Sequence, residues 1–222
     1  MNTSREKEAI SAYFKLLQNK GAKAGMLYKR SLFLDQLAPL LAGKLLDRSS
    51  YSQAIDTLIK KIAPDLWHES LNTAREFYPF WMHDIKAIAA FSRQGGFDIQ
   101  PLEWKPLQTT LKALTSRLKT EKFDVRETRH LMAYSQALKD KGAAKLLLET
   151  RVNLAKILLL QLKGAPTADA RVYRTAVDLT APLFAMDENK QLFLYVIREF
   201  YYYWIDNENP ASNIVQDALT DE

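Results

Sequence analysis

Along nearly the whole chain, apolar residues return at alternating intervals of four and three. Trp67, Leu71, Ala74, Tyr78, Trp81, Ile85 and Ile88 keep this spacing straight through Pro79, and Val172, Ala176, Leu179, Leu183 and Met186 keep it through Pro182. Residues so spaced lie on one stripe of an α-helix and have no meaning for a strand, whose side chains alternate every second residue. The pattern therefore predicts an all-α protein, a multi-helix bundle of about eight or nine helices with no β-sheet.

The stripes and their punctuation predict nine helices. Thr3 with Glu6 has capping-box spacing ahead of the first, and Gly21 and Gly25 follow it. The second covers about 26–46, with Pro39 as a kink or break. Ser50 with Gln53 is a capping-box match that opens the third, and Pro64 ends it. The fourth, 65–92, is read as one helix kinked at Pro79, or as two helices meeting at 77–80. Gln94-Gly95-Gly96-Phe97-Asp98-Ile99-Gln100-Pro101 is the clearest loop. Pro106 is expected to start the fifth helix. Asp124 with Glu127 caps the sixth, which Gly142 ends. The seventh, 143–162, is apolar nearly all round, as expected of a helix surrounded by others. The eighth covers 167–185 and the ninth runs from Asp187 to Ile205. No convincing internal repeat is expected: the tryptophans and glycines recur at no fixed period, which disfavours a solenoid of short repeats. The expected organisation is a single helical domain over 1–205, with halves 1–94 and 102–205 about the 95–101 loop, and an acidic tail over 206–222 carrying a short helix near 213–219.

The chain has 222 residues and no cysteine, so disulfides, zinc ribbons, iron–sulfur clusters and cysteine nucleophiles are excluded. Its most apolar stretches are either interrupted by charges, as in 146–162, or too short to span a bilayer, as in 192–205. The residues thus predict a soluble protein of the cytoplasm without a membrane partner. The formal charge of +5 is uneven. From Asp187 onward eight acids face only Lys190 and Arg198, leaving the preceding body strongly basic.

Four constellations bear on function. Asp65-x-x-His68 and Glu127-x-x-His130 each place a carboxylate one helical turn from an imidazole, the element from which helical di-metal sites are built. Both carboxylates also have ordinary helix-start roles, so a metal-dependent enzyme is the weakest reading. A basic group that includes Lys112, Arg117, Lys119, Lys122, Arg126 and Arg129, with a second across 15–30, offers phosphate contacts for nucleic acid. Nucleophilic catalysis and phosphate-loop chemistry have no motif here, and no cofactor is implied. The fourth constellation is Phe200-Tyr201-Tyr202-Tyr203-Trp204. Five consecutive residues point all round a helix, so part of the run should face outward or line a pocket. Leu192, Val196, Phe200 and Tyr203 are expected inward, and Tyr195, Tyr202 and Trp204 at a partner surface or pocket wall. The favoured reading is a non-enzymatic interaction or regulatory protein that binds a protein partner, or itself, through aromatic helical surface.

Overall fold

A computed structural model describes residues 5–93, 104, 106–165 and 169–215. Among these residues there are ten α-helices, three short 3-10 turns and no strand: α1 (Arg5–Asn19), α2 (Ala24–Leu41), α3 (Arg48–Ile59), α4 (Trp67–Trp81), α5 (Ile85–Arg93), α6 (Leu111–Arg117), α7 (Val125–Asp140), α8 (Lys145–Gln161), α9 (Ala170–Thr180) and α10 (Asp187–Trp204). The protein is an all-α multi-helix bundle. It divides into two compact units, residues 1–101 and 102–222.

In the first unit α1 packs against α2 and α4, and α3 packs against α2 and α4. In the second, α7 packs against α8 and α10, and α9 against the same pair. The two units are versions of one motif. Tyr13 of α1 donates to Glu76 of α4 at 2.8 Å, and Arg30 of α2 pairs with the same carboxylate. In the second unit Tyr134 of α7 donates to Glu199 of α10 at 2.8 Å, and Arg151 of α8 donates to it at 2.9 Å. Tyr134 and Arg151 each follow their counterparts by 121 positions, and Glu199 follows Glu76 by 123.

The correspondence extends to rings, turns and caps. Tyr13 packs edge-on to Phe77 and Phe80, and Tyr134 packs edge-on to Phe200 and Tyr203. Tyr51 lies against Tyr78 and Trp81 and donates to the Ala74 carbonyl at 2.7 Å. Tyr173 lies against Tyr201 and Trp204 and donates to the Ile197 carbonyl at 2.5 Å. Gly21 and Gly142 take φ of +79° and +84° after α1 and α7, the left-handed turn that lets the next amide reach back to Leu17 or Leu138. Asp47 and Asp169 cap α3 and α9, accepting from the Ser50 and Arg171 amides. Lys20, just after α1, donates to the carbonyls of Phe91 and Ser92, and Lys141, just after α7, donates to that of Ile214, so each unit ties a later segment to the end of a corresponding helix.

Several sequence expectations need correction. α9 stops at Thr180, and Ala181–Leu183 form a 3-10 turn, so the apolar stripe does not cross Pro182 within one α-helix. Pro182 has no amide hydrogen to donate to Asp178, and Met186 at the far end of the stripe is exposed. α4 does run through Pro79 but ends at Trp81, where His83 turns left-handed at φ 52°, and Ile85 and Ile88 belong to a separate helix. α3 begins at Arg48 with Asp47 as its cap, in place of the Ser50 start. Pro106 begins no helix: α6 starts at Leu111 behind Thr110, whose hydroxyl accepts from the Ala113 amide. A 3-10 turn at Pro210–Asn213 follows α10, and the expected helix near 213–219 falls largely outside the described residues, as do Thr3 and the 94–101 loop. The Asp124–Glu127 capping box is present with both of its hydrogen bonds, at 2.7 and 2.8 Å.

Tyr13, Tyr51, Tyr134 and Tyr173 are all buried. Burial is the largest cause holding each phenol well above its ordinary pKa, with the neighbouring carboxylates Glu76 and Glu199 adding to it at Tyr13 and Tyr134. A tyrosine in the unfolded chain ionises near pH 10, roughly the model-peptide value, while these stay protonated in the fold. Stability should therefore hold below that pH and fall as pH rises above it. In an alkaline titration followed by tyrosinate absorbance and circular dichroism, these four rings should ionise only as helicity is lost. Full ionisation with the helices intact would contradict their burial.

Candidate functional site

Four of the residues singled out for chemistry, Arg126, Glu127, Arg129 and His130, lie together in the N-terminal half of α7. Its capping box fixes Asp124 and Glu127, and helical spacing then carries Arg126, Arg129 and His130 toward the chain leaving α10. That chain turns left-handed at Asp206, with φ 54°. The Asp206 carboxylate accepts from Arg129 at 2.7 Å and Arg126 at 3.1 Å, and meets Nε2 of His130 at 2.9 Å. His130 beside it, and then Arg126, hold the Asp206 carboxyl below the usual carboxylate range. Arg126 also donates to the Trp204 carbonyl at 3.2 Å. A cavity of about 130 Å³ opens here, lined in part by Asp124, Arg126, His130, Lys163 and Trp204.

The metal-ligand candidates are engaged elsewhere. Glu127 accepts from the Asp124 amide and from Lys163 Nζ at 3.1 Å, and His130 faces Asp206. Asp65 lies in the 3-10 turn ahead of α4 and His68 on α4, where His68 contacts Asn72. Asp65 and His68 belong to the first unit and Glu127 and His130 to the second. Among the described residues no group of three or more His, Asp or Glu side chains is placed to hold a metal ion.

The basic group divides by partner. Arg117 is paired with Glu121 at 2.8 Å, and Arg126 and Arg129 with Asp206. Lys112, Lys119 and Lys122 are exposed. Lys163, which was not among the candidates read from the sequence, bridges Glu127 and the Lys122 carbonyl and stands over the Phe123 ring.

The aromatic run on α10 is largely internal. Val196, Phe200 and Tyr203 are buried as expected and Leu192 is half-buried. Burial pushes the Tyr203 phenol up to about 12. Tyr201 and Trp204 pack on Tyr173. Trp204, expected at a surface or pocket wall, is buried and lines the small cavity. Tyr202 is half-buried, and Tyr195 is 47% exposed. Five rings in a row are accommodated because the motif supplies two tyrosines, Tyr134 and Tyr173, on different faces of α10.

The deeply buried Arg151–Glu199 pair was not anticipated from the sequence. Its signal was present as the likeness between Arg75-Glu76-Phe77-Tyr78-Pro79-Phe80-Trp81 and Arg198-Glu199-Phe200-Tyr201-Tyr202-Tyr203-Trp204. Among the described residues no helix is long and apolar enough to cross a membrane. In comparisons with protein-family models, curated proteins and solved structures, nothing matches this chain.

His83 and Asp206 occupy the same left-handed position after α4 and α10, but only Asp206 makes the three contacts described above. His83→Gly should stabilise the protein by about 1 kcal/mol by removing left-handed strain. Asp206→Gly gains the same relief and loses contacts to three cationic or imidazole groups, so it should melt no higher than wild type. The Asp206 side chain is 48% exposed, so each ion pair is worth less than about 1 kcal/mol. With its pKa depressed, that contribution is present above the ordinary carboxylate range and is lost as pH falls through the lowered value. Thermal melts at neutral and acid pH check both, and a higher melting temperature for Asp206→Gly would contradict the role given to the carboxylate.

Proposed function

We propose that this protein is a non-enzymatic interaction module that binds a protein partner through the outer line of α10. The observation that carries this reading is the exposure of Tyr195 on a helix whose opposite face is fully buried at Phe193, Val196 and Phe200. Tyr202 lies seven residues on, two helical turns along the same line, with Gln191 and Arg198 between and beside them. Tyrosine offers large contact area at a small cost in side-chain freedom, and a helix anchored by its whole inner face presents it without rearrangement. Within each unit the buried arginine is committed to a glutamate, Arg30 to Glu76 and Arg151 to Glu199, which favours a structural use of those charges over catalysis. For the nucleic-acid alternative Lys112, Lys119 and Lys122 remain available, whereas Arg117, Arg126 and Arg129 already face carboxylates.

Tyr195→Ala and Tyr202→Ala together should leave the melting temperature within a few degrees of wild type and reduce association with the partner, or with a second copy, by tenfold or more. By contrast Phe200→Ala should cost about 3–5 kcal/mol of stability, because it empties a fully buried ring site. Light scattering and affinity capture on the folded double variant decide the matter. Unchanged association would remove the support for this surface.

A further inference from the structure

The repeat makes it possible to ask what one unit lacks that the other has. Counting along α4 and α10 from Glu76 and Glu199, Ser70 stands where the second unit has Phe193, and Thr73 where it has Val196. Phe193 is fully buried and stacks on Phe184 at 4.9 Å. In the first unit the small side chains leave a cleft of about 190 Å³ between α2 and α4, floored by Phe33, Ser70 and Thr73 and walled by Leu32, Ile62 and Leu66. Leu32 and Leu66 are 46% and 45% exposed, so the walls are open to an incoming group. Across the mouth Lys29 Nζ meets Glu69 Oε2 at 3.2 Å, with side chains 62% and 42% exposed.

We infer that this cleft binds the phenylalanine side chain of a partner polypeptide, the ring taking the place that Phe193 fills in the second unit. The motif itself shows that a phenyl group is compatible with packing at this position on its fourth long helix. The missing volume is that of a ring, since threonine and valine are nearly the same size. The rim selects a peptide over a bare hydrocarbon. Beyond their own ion pair, Lys29 keeps further N–H donors and Glu69 further acceptor lone pairs, complementary to the carbonyl and amide that flank any side chain of a polypeptide, groups that an unsubstituted arene lacks. The cleft floor is held by the fold, because Phe33 and Thr73 are buried and the Thr73 hydroxyl is tied to the Glu69 carbonyl at 2.9 Å. This site lies in the first unit, and its test is separate from that of the α10 line.

The full chain with labelled methyl groups is titrated with N-acetyl-phenylalanine amide, N-acetyl-alanine amide and toluene. The phenylalanine amide should shift the methyl signals of Leu32, Ile62 and Leu66 saturably, with affinity on the order of millimolar as expected for so small a ligand. The alanine amide should not. Ser70→Phe fills the cleft from within and should weaken binding at least tenfold while helicity and melting are retained. Should that variant fail to fold, Leu66→Ala, which removes an exposed wall, should weaken binding several-fold in a folded protein. Absence of saturable shifts, binding retained in whichever variant folds, or toluene binding with equal or greater affinity would each overturn the assignment.

Discussion

Each unit is organised around one carboxylate, deeply buried in the second unit and partly buried in the first. Glu199 is 2% exposed and accepts from Tyr134, from Arg151 and from the Val215 amide at 3.0 Å, so it joins α7, α8 and the segment after α10 at a single point. A buried charge is tolerated only when its partners are well placed, because desolvation costs several kcal/mol per ion. That requirement sets where three elements sit, and the apolar packing is arranged around it. Glu76 does the same for α1 and α2 in the first unit, with its side chain 24% exposed. The tyrosine contributes twice, since its hydroxyl reaches the carboxylate while its ring packs on two aromatic residues one and four positions further along the same helix.

How far the sequence foretold this depends on the kind of signal. Helix type was legible because a four-three stripe is repeated over many turns, and the α7 start was legible because Asp124 and Glu127 have a local hydrogen-bonding reason to be three apart. The helix ends at Trp81 and Thr180 were not. Pro79 is tolerated in a last turn and Pro182 is met by a 3-10 turn, and the spacing of apolar residues is blind to that difference. The repeat escaped because its copies lie more than a hundred residues apart and drift. Helices α7 and α8 follow α1 and α2 at 121 positions, but Tyr173 follows Tyr51 at 122 and Glu199 follows Glu76 at 123, so no fixed period survives the loops. What is retained is a sparse set of residues with specific tasks: the tyrosines, the left-handed glycines, the arginine and the Glu-Phe-Tyr run.

For the candidate site the same distinction holds. Residue spacing placed Arg126, Arg129 and His130 on one helix but could not foresee Asp206 from a distant turn, which engages all three. The aromatic run was read from chemistry alone as too large to hide, and the structure hides most of it because two tyrosines from other helices receive it. Function is best sought where the copies differ, since what they share is accounted for by folding. Tyr202 stands at the position of Pro79 on the fourth long helix, and Phe193 corresponds to Ser70 at the cleft.

The Arg151–Glu199 pair acts as an energetic unit, which a double-mutant cycle on Arg151→Met and Glu199→Leu would measure. Each single change should cost about 3–5 kcal/mol in chemical denaturation, because each leaves the opposite charge in a desolvated site. The double variant should be less destabilised than the sum by roughly 2 kcal/mol or more, the coupling expected of groups in direct contact. Additive losses, within about 0.5 kcal/mol, would show that Arg151 and Glu199 stabilise the unit independently and that their pair does not set how α7, α8 and α10 meet.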